Sequence, residues 1–233
     1  MMPSGLVYAN LGHFFAEKLG AIVVIPDYRL IEHGAVFPSG GEDVELAVRW
    51  IKEKFGGTES KPRELFMMGN SAGGIHLSTW LYSPVFETST AKVLGADAIL
   101  RLKGVVMLSV PFHFRAAAAD RADVLKTYYG DEKEEHCPLG LFESLTKNGA
   151  HAGALGVPTL VLNGTLDPQD EILDPLHDYL QAWKAAPAEA QKLLKAEMMD
   201  GHNHISPVLS IGTGKKDEEA WGHQVCDWVQ SIL

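Results

Sequence analysis

The stretch Leu65-Phe66-Met67-Met68-Gly69-Asn70-Ser71-Ala72-Gly73-Gly74-Ile75-His76-Leu77 changes character at its middle. Its first four residues are apolar without polar alternation, the pattern of a strand covered on both faces of a sheet. From Ile75 to Leu81 the chain reads as a helix. Between the two, Gly69-Asn70-Ser71-Ala72-Gly73 matches G-x-S-x-G, the strand-to-helix elbow that lifts a serine hydroxyl above a sheet. The glycines have a steric reason: side chains two positions either side of a serine in so tight a turn would strike the neighbouring backbone. A Gly/Ser turn before a helix is also an ordinary helix cap. The strand ahead and the helix behind favour the elbow, with Ser71 as nucleophile.

Outward from this point helix and strand patterns alternate. Leu11, Phe14, Phe15 and Leu19 recur at helical spacing and stop at Gly20, after which Ala21-Ile22-Val23-Val24-Ile25 predicts a buried strand. Val44, Ala47, Val48, Ile51 and Phe55 form an amphipathic face ended by Gly56-Gly57. Further strands are predicted at Val105–Leu108, Thr159–Leu162 and Leu193–Met198, the last more polar and so an edge. Helical faces over Ile172–Ala185 and Trp221–Ile232 complete the crossovers. The expectation is an α/β fold: a mostly parallel sheet with flanking helices in one domain, residues 1–233. The stretch 111–156 is too long for a plain connection and reads as a lid insertion. Phe112, Tyr128 and Leu141 are its candidate substrate-facing side chains.

Composition narrows the partners. A net charge of −10 over 233 residues repels phosphate backbones and anionic membranes, so neither nucleic acid nor membrane is expected, and a small neutral ligand fits better. Cys137 and Cys226 have no disulfide or metal spacing and read as free thiols in a reducing, cytoplasmic setting. The N-terminus has no leader pattern. The ten histidines include no H-E-x-x-H, so neither metal nor other cofactor is expected. Nothing in the pattern fixes an oligomeric state.

Asp27-Tyr28-Arg29-Leu30, then Phe37-Pro38 with Glu42-Asp43, then Gly69-Asn70-Ser71-Ala72-Gly73-Gly74, resemble the hormone-sensitive-lipase-like esterases of the α/β-hydrolase superfamily, which carry YRL, FP, ED and GDSAGG in that order. The likeness spans nearly the whole chain. Asn70 stands where that family usually has Asp, beside the nucleophile but outside the triad. His202-Asn203-His204-Ile205-Ser206 is similar to fungal members.

A serine hydroxyl needs a base to take its proton and an acid to orient that base, and in this fold the chain order is Ser, acid, His. Asp167 lies on the loop at the carboxyl end of the fourth strand, where ligand sites collect, and matches the family's G-x-x-D. Asp170 and Glu171 are accounted for as helix caps. After the last strand His202 and His204 both present themselves. The resemblance implies His204, which precedes the aliphatic Ile205; His202 then lines the entrance, where with Asn70 it is a candidate substrate contact, or is simply solvated.

The elbow supplies one oxyanion donor, the Ala72 N–H. The resemblance implies a second on a His-Gly-Gly-Gly loop after an earlier strand, lying between the first two strands of this chain; the sequence starts too late to contain it. His33-Gly34, Gly40-Gly41 and Gly56-Gly57 read as turns and a helix cap. The expectation is therefore an N-terminally truncated chain with weak activity. Small-ester hydrolysis leads. The family resemblance also admits an arylformamidase acting on N-formylkynurenine, an acyltransferase, and a weakly active or non-catalytic small-molecule binder, as the gibberellin receptors are on this fold.

Overall fold

The computed structural model describes residues 8–148 and 152–233. Four strands form one sheet, all parallel, in the order β1 (Arg63–Asn70), β2 (Leu100–Leu108), β3 (Thr159–Gly164), β4 (Leu194–Met199). Side chains leave successive strand residues toward opposite faces, which sorts the apolar runs into two cores. Val105, Met107 and Val161 enter one; Val106, Leu108, Leu160 and Leu162 enter the other.

The second core is closed by α1 (Ala9–Leu19), through Leu11, Phe14 and Phe15, and by the C-terminal helix Lys216–Ser231, through Trp221, Val225, Trp228 and Val229. The first and larger core is covered by α2 (Ser39–Phe55), α3 (Ala72–Tyr82), Pro138–Asn148 and Asp174–Trp183. Here α3 is buried on most sides: Leu77, Trp80 and Leu81 are buried, and so are the polar His76, Ser78 and Thr79. A helix buried on most sides in this way fixes the residue at its N-terminus more firmly than a surface helix would. That residue is Ser71.

Two expectations are corrected. Ala21–Ile25 is not a strand: after the left-handed Gly20 the chain runs extended, with Ile22, Val23 and Ile25 substantially exposed. An apolar β-branched run needs a laddered neighbour to become a strand. Among the described residues none pairs with it, and β1 is bonded only on its β2 side.

The stretch 111–156 is helical, with Ala122–Tyr129, Lys133–His136 and Pro138–Asn148, but its apolar side chains serve the main core. Phe112 is wholly buried and stacks on Tyr179 with centroids 3.9 Å apart, and Leu141 lies in the same core. Tyr128 is buried too, its hydroxyl accepting the Gly40 N–H at 3.1 Å. Packing in the main core accounts for all three side chains, Tyr128 and Leu141 from helices and Phe112 from the segment after β2. Residues 149–151 lie outside the described residues.

Among the described residues no helix is long and apolar enough to cross a membrane, and no group of His, Cys, Asp and Glu is arranged to hold a metal. Cys137 and Cys226 are free and buried.

Candidate active site

At the junction of β1 and α3, Ser71 adopts φ 51° and ψ −116°, a conformation L-residues avoid at a cost of about 1–3 kcal/mol. The surroundings impose it. The Ser71 N–H donates to Leu108 O at 2.9 Å, continuing the β1–β2 ladder, while Gly74 N–H donates back to Ser71 O at 3.0 Å and starts the helix. Within that turn a Cβ on Gly69 would stand 2.5 Å from Gly74 Cα, and one on Gly74 would stand 2.1 Å from Val110 Cγ2. Gly73, the second glycine of the motif, has open space instead. The steric argument therefore holds for positions 69 and 74 and fails for 73.

Asp167 follows β3, with its side chain wholly buried. Its Oδ2 accepts two hydrogen bonds, from Ser109 Oγ at 2.7 Å and from Gly164 N–H at 2.8 Å. Its Oδ1 has no hydrogen bond and faces His204 Nδ1 at 3.6 Å.

His204 follows β4, on a loop tied to the acid's loop. Leu166 N–H donates to His202 O at 2.9 Å, Thr165 N–H to Met199 O at 3.1 Å, and Gly201 N–H to Thr165 Oγ1 at 2.9 Å. The two loops approach so closely that a Cβ on Gly164 would lie 2.2 Å from His202 O. Asn203 Oδ1 accepts the N–H groups of Ile205 and Ser206, both at 3.0 Å, which fixes the turn that leads into the short helix Ser206–Ser210.

The result is a hydrogen bond between Ser71 Oγ and His204 Nε2 of 2.8 Å. With the imidazole proton on Nδ1, toward the carboxylate, Nε2 is the acceptor and the serine hydroxyl donates. The structure thus brings Ser71, His204 and Asp167 into one line. It does not bring His202, which is buried behind the loop with Nδ1 3.1 Å from Ser206 Oγ; it is neither solvated nor at an entrance. Asn70 is a tie within the elbow: Nδ2 donates to Leu108 O at 3.3 Å and Oδ1 accepts from Tyr8 Oη at 3.2 Å.

Ala72 begins α3, and a first-turn N–H has no acceptor inside its own helix, so this one is free to meet an anion. The other glycine pairs behave as local geometry dictates. Gly34 is the left-handed end of a 3-10 turn, Gly40-Gly41 form the first turn of α2, and Gly56 closes that helix.

Sequence reading missed Ser109. It is buried one residue past β2, at the end of the sheet where Asp167 lies, and its position after a strand was the available signal. His76, one of the histidines that carries no metal spacing, is a packed side chain of α3, buried with its ring 4.4 Å from that of Tyr28. Burial there pushes the imidazole pKa down to about 4.

The loops that carry the acid and the base expose two large apolar side chains among polar ones. Leu166 and Ile205, sequence neighbours of the acid and the base, are each more than 60% exposed. Two open hollows of about 290 and 240 Å³ do not include Ser71 or His204: the first is lined by residues such as Phe114 and Lys133, the second by Asp200, His202 and Trp221.

A model of the α/β-hydrolase fold matches residues 7–136. Comparison with curated proteins finds no match. Among solved structures the chain is similar to a carboxyl esterase from the mycorrhizal fungus Tuber melanosporum, at 16% identity and TM-score 0.61, over all of this chain and 75% of that one. It is also similar to a carboxylesterase from Lactobacillus plantarum WCFS1, at 14% identity and TM-score 0.62, over 98% of this chain and 80% of that one. An α/β-hydrolase enzyme from the metagenome of lagoon sediments at Mar Chica, Morocco, aligns at 15% identity and TM-score 0.56, over 97% and 84%. Likeness at such identities carries the fold.

Proposed function

Because the chain belongs to the α/β-hydrolase fold family, we propose that Ser71, His204 and Asp167 form a catalytic triad that hydrolyses small carboxylic esters through an acyl-enzyme. The observation that carries this reading is the 2.8 Å contact between Ser71 Oγ and His204 Nε2, with a carboxylate oxygen behind the ring left free of other partners.

The steps follow from that line. Nε2 takes the serine proton as Oγ attacks the ester carbonyl carbon, and the imidazolium that forms is stabilised by Asp167 Oδ1. The 3.6 Å gap between Nδ1 and Oδ1 is of the kind that shortens once the ring is charged. The carbonyl oxygen, now negative, meets the Ala72 N–H and the positive end of the α3 dipole. His204 then returns the proton to the departing alcohol, leaving an acyl group on Ser71. Water, deprotonated by the same nitrogen, attacks that acyl carbon; Ser71 leaves and takes the proton back.

Leu166 and Ile205 offer apolar surface beside the acid and base, suited to a short acyl or aryl group and not to a charged one. The acidic protein as a whole disfavours anionic substrates further.

The test is hydrolysis of p-nitrophenyl esters of increasing acyl length, with N-formylkynurenine in parallel. The proposal expects ester turnover that Ser71→Ala lowers by about 10³-fold or more. A formamide preference would move the substrate class to N-formyl amides. Ester turnover unchanged in Ser71→Ala would remove the triad from the reaction.

A further inference from the structure

We propose that Ser109 is a positioning residue for the acid of the triad: its hydroxyl holds one oxygen of Asp167 so that the other stays aimed at His204. The inference rests on the reading of Ser71, His204 and Asp167 as a catalytic set.

Three observations carry it. First, Ser109 and Ser71 are the two non-glycine residues with positive φ among the described residues, at 46° and 51°. The two lie in register: Asn70 pairs with Leu108, the residue before each serine, so both turns occur at the same level of the sheet. L-residues avoid this backbone region unless their surroundings enforce it.

Second, those surroundings spend the conformation on one contact. Ser109 N–H donates to Leu162 O at 2.8 Å, extending the β2–β3 ladder by one residue, and the side chain then reaches Asp167 Oδ2 at 2.7 Å in a site with no solvent exposure. Val110, which follows, is wholly buried, and its Cγ2 would lie 2.1 Å from a Cβ on Gly74. The strained turn is therefore packed against the first turn of the nucleophile's helix, and the β2 terminus contacts both the elbow and the acid.

Third, the division of labour on the carboxylate is complete. Ser109 Oγ and Gly164 N–H both donate to Oδ2, whereas Oδ1 has no hydrogen bond and faces the imidazole. Gly164 N–H alone leaves the carboxyl group free to turn about the Cβ–Cγ bond. A second donor on the same oxygen from another strand removes that freedom. In so buried a site, loss of the hydroxyl leaves Oδ2 with the Gly164 N–H as its one donor, and the carboxylate turns to share Nδ1–H and Gly164 N–H differently.

The test separates the hydroxyl from the strain and from plain packing. Ser109→Ala removes the hydroxyl and keeps the strained backbone; Ser109→Gly removes the hydroxyl and relieves the strain. Each is measured for kcat and KM on p-nitrophenyl acetate and for the rate at which a fluorophosphonate labels Ser71, and Ser109→Ala is repeated in an Asp167→Asn background. We expect both single variants to lower kcat and the labelling rate by at least about fivefold with KM near that of the unchanged protein. Ser109→Ala should add nothing once Asp167 is Asn, because the serine acts through that carboxylate.

A loss smaller than about fivefold in Ser109→Gly, or an undiminished loss in the Asp167→Asn background, overturns the assignment. Should Ser109→Ala fail to fold, the glycine variant decides alone, and the Asp167→Asn comparison is made with it. Failure of the underlying reading looks different: the unchanged protein then takes no label on Ser71, whatever stands at 109.

Discussion

Three glycines bracket Ser71, and the structure assigns them unequal costs on replacement by alanine. At Gly69 the added Cβ would stand 2.5 Å from Gly74 Cα, 2.6 Å from Gly74 N and 2.7 Å from Gly73 C. All three are backbone atoms of the helix start, so they can yield only if α3 moves relative to β1. Overpacking of this kind costs about 1–3 kcal/mol, which for a domain of this size lowers Tm by roughly 3–10 °C.

The motion needed is about 1 Å, the scale at which a displaced catalytic group loses on the order of 10²-fold in rate. At Gly73 nothing lies within 4 Å, and the residue is helical with ordinary φ, so alanine gains about 0.5–1 kcal/mol of helix propensity and raises Tm by roughly 1–4 °C. Thermal unfolding of the two variants, with ester turnover of Gly69→Ala, is the assay. A Gly69→Ala protein as stable and active as the unchanged one, or a Gly73→Ala protein destabilised to the same degree as Gly69→Ala, would refute the reasoning.

Two further outcomes are expected. His76 is held neutral by burial, its pKa lowered to about 4, while in the unfolded chain it titrates near 6.5; between these values the unfolded state binds more protons. Stability from this group is therefore complete above about pH 6.5 and is lost as pH falls toward 4, about 2–3 kcal/mol by pH 4.5. Urea unfolding at pH 7.5 and 4.5 should show this loss in the unchanged protein and a smaller one in His76→Asn; equal losses would contradict it. The buried hydroxyls of Tyr82 and Tyr179 are 2.7 Å apart and serve each other. Either single change to Phe strands the remaining hydroxyl at about 1–3 kcal/mol, and the double change should cost less than the sum; strict additivity in a double-mutant cycle would show that the pair is not coupled.

The sheet was legible because its strands are unbroken apolar runs and its helices carry wide apolar faces, a pattern that survives without any knowledge of contacts. Ala21–Ile25 shows the limit of that signal: the same β-branched run is a strand only with a laddered neighbour, and strand pairing is not a local property. Phe112, Tyr128 and Leu141 show another limit, since an apolar side chain on a long connection looks alike whether it faces a ligand or a core. Asp167 and His204 could be named as candidates because each lies one short loop past a strand, and their side chains do meet beside Ser71. His202 was misplaced because two histidines two residues apart differ only in how the loop turns, and that is set by Asn203 and Ser206 hydrogen bonds. Ser109 gave no motif, and its importance rests on a partner 58 positions away.

The central claim is that Ser71 is a nucleophile activated by His204. It is tested most directly by treating the unchanged protein with a fluorophosphonate and mapping the adduct by peptide mass spectrometry. The account predicts a single adduct on the peptide containing Ser71, absent in Ser71→Ala and formed at least about 10²-fold more slowly in His204→Asn, because the hydroxyl then loses the nitrogen that takes its proton. No adduct, an adduct on another serine, or labelling of Ser71 at an unchanged rate in His204→Asn would contradict it.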